Sequence, residues 1–135
     1  SQAKFLARLD ADRDARLAGE SPATVPAALP DSVTEEWINT NDVDGAYRNE
    51  LTIRSFDLLR SYEPIDFVER ISPTPLMMIV AKNDVQTPTA WQLEAFEKIG
   101  EPKRLLEIDC RHYDVYMDRL DEAAAGALAW YQEHL

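Results

Sequence analysis

The spacing of apolar residues changes about halfway along the chain, and the first part is predicted to be helical. Apolar positions recur at helical intervals in residues 4–18 and again in residues 47–62. Residues 19–31 hold three prolines and no steady period, which indicates a linker. Residues 32–35, Ser-Val-Thr-Glu, have the spacing of a capping box and predict the start of a short helix. Residues 1–70 are therefore predicted to form a helical region.

The second part of the chain alternates predicted strands and helices. Residues 76–81 are apolar at every position, as in a central strand of a parallel sheet that is covered on both faces, and residues 103–108 predict a second strand. Between them, Thr87 is a good cap for a helix that Gly100 ends. The order strand, helix, strand predicts a parallel pair and an α/β fold class. A final helix over 119–134 is expected to bury one apolar face: Leu120, Ala124, Ala127, Leu128 and Tyr131.

The predicted sheet of residues 71–135 needs further neighbours. A strand that is apolar on both faces requires other strands or helices to cover its surfaces and edges. The sequence offers two convincing strands and no more. We therefore expect a homo-oligomer, or a complex with another polypeptide, rather than a self-sufficient monomer.

The charge and composition exclude several classes of protein. The 135 residues carry 14 Lys and Arg against 25 Asp and Glu, a formal charge of −11, so binding to nucleic acid or to anionic membranes is not expected. No apolar run approaches the roughly 18 residues that span a bilayer. Four scattered glycines exclude the glycine-rich phosphate loops, and two histidines with one cysteine do not form a metal motif. We expect no cofactor. The single cysteine and the lack of a signal-peptide pattern predict a cytoplasmic location.

Two residues with catalytic chemistry follow the predicted strands. Asp84 comes three residues after the first strand, and His112 comes four residues after the second. Because parallel strands direct their carboxyl ends to one edge of a sheet, the two side chains are expected to meet. A carboxylate that binds one imidazole nitrogen fixes the tautomer, and the other nitrogen can then take a proton from a nucleophile.

The sequence segments around Asp84 and His112 resemble the C-terminal part of the α/β-hydrolase superfamily. Residues 71–84, Ile-Ser-Pro-Thr-Pro-Leu-Met-Met-Ile-Val-Ala-Lys-Asn-Asp, are similar to its strand and acid loop, and Gln86-Thr-Pro88 continues the match. Residues 102–108 resemble the last strand, and residues 112–116, His-Tyr-Asp-Val-Tyr, resemble the histidine loop of relatives of dienelactone hydrolases and X-Pro-peptidase-like esterases. The resemblance covers about residues 45–135.

The resemblance implies a cap or lid over residues 1–70 and a partial core over 71–135. It also implies a serine-type hydrolase that acts on a small-molecule ester, thioester or amide, with Asp84 as the acid and His112 as the base. The Gly-x-Ser-x-Gly nucleophile motif is absent from the sequence, and Arg111 stands where the family commonly has glycine. The chain is therefore predicted to lack the nucleophile and to be inactive alone. The alternative is a non-catalytic assembly module or a self-associating fragment.

Other residues near the predicted histidine loop leave alternatives open. Cys110 can serve as a thiol nucleophile or as a small apolar residue at the strand end. Asp114 can compete with Asp84 for the imidazole. Tyr113 and Tyr116 can line a pocket or pack against a helix.

Overall fold

The structure is a computed structural model that describes residues 2–135, and it divides into two compact units. The first unit ends at Glu63, and the second is Pro64–Leu135. This division lies seven residues before the boundary that we predicted from the sequence. The second unit begins earlier because a 3₁₀ helix, Pro64–Ile71, contacts the helix Thr89–Lys98 of that unit.

The first unit is mostly helical. Its elements in chain order are α1 (Gln2–Leu17), β1 (Thr24–Val25), α2 (Val33–Asn41), β2 (Leu51–Thr52) and α3 (Ile53–Arg60). The two short strands pair antiparallel, and α1 contacts α3. Phe5 of α1 meets Phe56 of α3 edge to face, with ring centroids 5.6 Å apart.

The segment predicted as a linker is tied to the rest of the first unit. Ala28 is buried; its N–H donates to Asn49 Oδ1 at 2.7 Å, and Asn49 Nδ2 donates back to Ala28 O at 2.9 Å. The nearby pairing of β1 with β2 also shortens the helix that we predicted over residues 47–62. Thr52, the last residue of β2, is the N-cap of α3, and Thr52 Oγ1 accepts a hydrogen bond from Ser55 N at 3.0 Å.

The capping box at the start of α2 is present with one partner shifted. Ser32 Oγ accepts from Glu35 N at 3.1 Å, as the sequence predicts. Glu35 Oε2 accepts from Asp31 N at 2.8 Å, one residue before the cap. The reciprocal bond therefore satisfies the N–H group that precedes the helix.

The second unit has the predicted α/β order. Its elements are the 3₁₀ helix Pro64–Ile71, β3 (Leu76–Ala81), α4 (Thr89–Lys98), β4 (Lys103–Ile108), a 3₁₀ turn (Asp114–Tyr116) and α5 (Leu120–His134). The strands β3 and β4 are parallel, and their bounds are those predicted from the sequence. They pair in register from Leu76 with Lys103 to Ala81 with Ile108, so both strands end at the same level.

The core of the second unit lies beneath this shared end of the strands. Its buried residues are Ala81, Ile108, Cys110 and Ala123, with Ile79, Leu106 and Val115 packed against them. Val80 is also fully buried. The residues at the carboxyl ends of β3 and β4 are therefore anchored by packing.

The buried face of α5 differs from the predicted one. Ala123 and Trp130 are buried, whereas Leu120, Leu128 and Tyr131 are at least half exposed. Gly126 lies close to the sheet, since a Cβ atom there would lie only 2.5 Å from Leu106 Cδ2. The predicted face was wrong for Leu120, Leu128 and Tyr131, and it omitted Trp130, which the structure buries.

The start of α4 also differs from the prediction. Pro88 is the cap residue, and it makes no side-chain cap bond. The hydroxyl of Thr87, which we predicted to be the cap, binds Asp84 instead. Thr89 Oγ1 donates to Ala81 O at 2.8 Å, which fastens the first turn of α4 to the end of β3.

Across residues 2–135, no helix combines the length and the apolar character that crossing a bilayer requires.

Candidate active site

The loop after β3 fixes the carboxylate of Asp84 by local hydrogen bonds. The backbone N–H groups of Gln86 and Thr87 donate to Asp84 Oδ1 at 2.8 and 2.9 Å. Asp84 N in turn donates to Ala81 O at 3.3 Å. This turn is built by an aspartate side chain that bonds its own following backbone, so the position of the carboxylate is set by the chain immediately around it.

Three side chains donate hydrogen bonds to the second carboxylate oxygen of Asp84. His112 Nδ1 lies 2.8 Å from Oδ2, and Thr87 Oγ1 and Gln92 Nε2 each lie 3.1 Å from it. The Asp84 side chain is 5% exposed. A carboxylate this buried is costly unless its lone pairs are satisfied, and five donors satisfy it here.

These contacts keep Asp84 ionised. Burial raises the pKa of the carboxyl, but the hydrogen bonds from His112, Thr87 and Gln86 outweigh burial and bring the pKa below its ordinary value. The group is therefore a carboxylate at neutral pH and acts as a hydrogen-bond acceptor for the imidazole.

The imidazole of His112 lies partly in the open, with its side chain 25% exposed. Because Asp84 is an acceptor, the proton of the neutral imidazole belongs on Nδ1, and Nε2 on the other side of the ring carries the lone pair. The ring of Tyr113 stands edge-on to the imidazole with centroids 4.6 Å apart, and that of Tyr116 at 6.3 Å. The aromatic residues therefore flank the ring.

Asp114, the alternative acid, has other partners. Its Oδ2 accepts from Arg111 N at 2.9 Å, and its Oδ1 lies 3.4 Å from Arg111 Nη2. The bond from the Arg111 backbone is the main cause that lowers the pKa of Asp114, and burial opposes it. The imidazole of His112 binds Asp84, while Asp114 shapes the loop and holds the arginine that stands in the place of the family glycine.

Cys110 packs in the core at the end of β4. It is buried, and burial raises the pKa of its thiol, with the negative charge of Asp114 adding to the effect. A thiol that stays protonated is a poor nucleophile. Its environment matches the apolar interpretation and not the nucleophilic one.

Sequence reasoning found Asp84 and His112 but missed Thr87 and Gln92 as their neighbours. Gln92 lies in the first turn of α4 and is half-buried. The available signal was the spacing Asp84-x-x-Thr87, which is typical of a carboxylate that closes its own turn. No spacing rule pointed to Gln92. In the part of the chain that the structure describes, no group of three or more His, Cys, Asp and Glu side chains is arranged to hold a metal ion.

Curated proteins that are similar to this chain include polyketide transferases and a thiohydrolase. No protein-family model matches the chain. A protein of Gibberella fujikuroi named polyketide transferase is 32% identical over 102 residues, which are 70% of this chain and 32% of that protein. A thiohydrolase of Eupenicillium brefeldianum is 27% identical over 114 residues, 74% of this chain and 37% of that protein.

The fold comparison covers nearly the whole chain. The crystal structure of the α/β-hydrolase GrgF from Penicillium superposes with a TM-score of 0.85 and 27% identity, over 98% of this chain and 49% of that one. With the parallel sheet and the strand-end pair, this similarity assigns the chain to the α/β-hydrolase superfamily. The chain spans about half of that solved structure and between a third and a half of the curated relatives.

Proposed function

We propose that the chain supplies the acid and the base of a serine-type acyl-transfer enzyme. The observation that supports this most directly is the 2.8 Å contact between His112 Nδ1 and a buried, ionised Asp84. In this arrangement Asp84 orients the imidazole and stabilises the imidazolium, and His112 is the general base. The nucleophile and the oxyanion donors belong to a segment outside this sequence.

The proposed reaction runs in two transfers. The nucleophile hydroxyl gives its proton to His112 Nε2 while its oxygen attacks the acyl carbon. The bond from that carbon to the leaving group then breaks, and the imidazolium returns the proton to the departing atom. In the second transfer, water or another acceptor gives its proton to His112 Nε2 and attacks the acyl carbon of the acyl-enzyme. The bond to the nucleophile oxygen then breaks, and that oxygen takes the proton back from the imidazolium.

The substrate class is an acyl ester, thioester or amide, and the named relatives favour a thioester. The relatives are named polyketide transferases and a thiohydrolase. We propose a thioester donor, with water or a hydroxyl group as acceptor. No cofactor is needed for these steps.

The partner of the chain is proposed to be the segment that carries the nucleophile. Among residues 2–135, β3 and β4 form a sheet of two strands, and Leu76 and Met77 of β3 are only partly buried. Further strands are needed on such a sheet to cover its edges. Docking of the missing part of an α/β-hydrolase core would do this and would bring the nucleophile to His112.

The test is to produce the chain together with a nucleophile-bearing segment and to compare four proteins: wild type, His112→Ala, Asp84→Asn and Asp114→Asn. We expect His112→Ala to remove nearly all turnover. Asp84→Asn should reduce kcat on the order of 10⁴-fold, the magnitude found when the wrong tautomer is imposed in a protease triad. Asp114→Asn is the matched control and should keep most activity. Near wild-type turnover in Asp84→Asn, with loss in Asp114→Asn, would assign the acid to Asp114.

A further inference from the structure

Gln92 uses both hydrogens of its amide in the acid loop. Its Nε2 lies 3.1 Å from Asp84 Oδ2 and 2.6 Å from Thr87 O. Both neighbours accept hydrogen bonds, so the amide must present its NH₂ group to them and not its oxygen. The helix α4 is thereby tied to the carboxylate and to the backbone of the turn that holds it.

The hydroxyl of Thr87 stands between the carboxylate and the imidazole. Its Oγ1 lies 3.1 Å from Asp84 Oδ2 and 3.3 Å from His112 Nδ1. A hydroxyl has one proton, which goes to the carboxylate, and a lone pair then accepts from the Nδ1–H group. Thr87 therefore donates to Asp84 Oδ2, the same oxygen that accepts from His112 Nδ1. Its oxygen also offers the Nδ1–H group a second acceptor beside Asp84.

We propose that Gln92 and Thr87 are positioning residues that limit the attraction between Asp84 and the protonated imidazole. This inference rests on the proposed role of His112 as base. A carboxylate that shares one oxygen among three donors offers less negative charge to each of them. The attraction between Asp84 Oδ2 and the imidazolium is therefore weaker than it would be for a carboxylate oxygen with His112 as its one partner.

The charged groups around the pair have their own partners or lie to one side. On the His112 loop, Arg111 pairs with Asp114, and Asp109 accepts from Asn83 Nδ2 at 2.8 Å. On α4, Lys98 pairs with Glu94 at 3.0 Å. The rings of Tyr113 and Tyr116 flank the imidazole, and on the acid loop the exposed Lys82 lies two residues before Asp84. The neutral donors are therefore the groups through which α4 and the turn act on Asp84.

The test is an NMR titration of the histidine rings in the full chain, labelled with ¹⁵N-histidine. The sequence holds only His112 and His134, so a His134→Gln variant assigns the two signals. In Gln92→Leu we expect the midpoint of the His112 titration to move to higher pH by about half a unit or more, because one competing donor is gone. Gln92→Met, which keeps the length of the side chain without its donors, should give the same shift.

Thr87 provides a matched pair of variants, and Gln132 provides the control. Thr87→Val removes the donor to Asp84 and also the longer contact to Nδ1, so it should move the midpoint upwards by less than Gln92→Leu does. Thr87→Ser keeps the hydroxyl and should titrate as wild type. Gln132→Leu makes the same chemical change as Gln92→Leu at an exposed position of α5 and should have no effect. A His112 midpoint that stays constant or falls in Gln92→Leu, Gln92→Met and Thr87→Val overturns the inference.

The acid limb of the kcat/KM profile of the complete enzyme gives a second readout. It should move to higher pH in Gln92→Leu, by the same amount as the NMR midpoint. Failure of the two proposals is distinguishable. If the NMR midpoint rises while His112→Ala keeps full turnover, the hydrogen-bond sharing is correct and the proposed base is wrong. If His112→Ala is inactive and the midpoint does not rise, the base is correct and the role of Gln92 is wrong.

Discussion

His112 and Asp84 meet because the two strands that precede them end at the same level. Ala81 pairs with Ile108 at the last position of the parallel ladder, and the two side chains follow three and four residues later. The resulting Nδ1 to Oδ2 distance is 2.8 Å. The strand register, and not a local motif, therefore brings together two residues that lie 28 positions apart.

Asp84 is expected to make the stability of the fold depend on acid pH. Because the pKa of Asp84 is lower in the folded chain than in the unfolded chain, its contribution is complete above the ordinary pKa of about 4 and is lost as pH falls through the folded value. The difference in unfolding free energy between wild type and Asp84→Asn should thus shrink between about pH 5 and pH 2. Urea unfolding across this range measures it.

The control for that experiment is Asp118→Asn, which changes an exposed aspartate outside the site. The difference in unfolding free energy between Asp118→Asn and wild type should stay small across the same pH range. A difference for Asp84→Asn that stays constant down to pH 2 would show that the carboxylate is not stabilised by its ionised form.

Gly126 is expected to tolerate no larger side chain. A Cβ atom there would lie 2.5 Å from Leu106 Cδ2 and 3.2 Å from Met77 Cε, so these side chains would have to shift or α5 would have to move off the sheet. Gly126→Val should destabilise the fold by about 2 kcal/mol, the usual cost of overpacking a core. Ala125→Val, at the exposed neighbouring position, is the matched control because it introduces the same β-branched residue into the same helix.

Thermal or urea unfolding compares the two valine variants. Equal stability for both would mean that α5 does not approach β4 at Gly126. A larger loss in Gly126→Val that Leu106→Ala relieves in the double variant would identify Leu106 as the neighbour responsible.

Cys110 is expected to react slowly with thiol reagents in the folded chain. It is buried in the core, and burial raises the pKa of its thiol, so little thiolate is available. The rate of labelling by a disulfide reagent at neutral pH should rise steeply once urea unfolds the chain. Fast labelling without urea would reopen the interpretation of Cys110 as a nucleophile.

The sequence predicts the elements of the second unit better than those of the first. The strands β3 and β4 are apolar runs flanked by proline and polar loops, and their predicted bounds match the structure. The strands β1 and β2 have two residues each and no periodicity that a pattern can detect. Their pairing depends on contacts between distant residues, which also displaced the start of α3.

The candidate site, like the fold, was predictable only in part. Asp84 and His112 are predictable because each follows a strand, and the direction of parallel strands is a general rule. The role of Thr87 was missed because Thr before Pro also suits a helix cap, and the spacing Asp84-x-x-Thr87 does not decide between the two uses of the hydroxyl. The contact of Gln92 depends on how α4 is tilted against the turn, which the side-chain pattern of that helix does not encode.

The spacing of apolar residues predicted the wrong face of α5. Leu128 and Tyr131 have the apolar character of core residues, yet both are exposed, and the helix meets the sheet through Ala123 and the position of Gly126. An amphipathic pattern assumes that a regularly spaced apolar stripe faces inward. In an incomplete core, apolar residues also face outward, where we propose that the missing segment docks.

The exposed apolar surface predicts association in solution. Trp91, Leu128 and Tyr131 of the second unit are more than half exposed. Analytical ultracentrifugation of the chain should give a mass of two copies or more, and addition of a nucleophile-bearing segment should replace this species by a defined complex. A monomer that unfolds cooperatively in calorimetry and ignores the added segment contradicts both the assembly and the proposed partner.

The chain alone is expected to hydrolyse no activated ester. The sequence has no Gly-x-Ser-x-Gly motif, and Cys110 is buried with its thiol pKa raised, so neither that motif nor a reactive thiol serves His112 within residues 2–135. Release of nitrophenol from p-nitrophenyl acetate should therefore match a sample of His112→Ala at equal concentration. This comparison removes the small rate that His134 and the other groups shared by both samples give. Addition of the nucleophile-bearing segment should restore turnover to the wild-type chain and leave His112→Ala at background. Steady turnover by the chain alone that persists in Cys110→Ala but disappears in His112→Ala would place a nucleophile inside these 135 residues and refute the proposal that another segment supplies it.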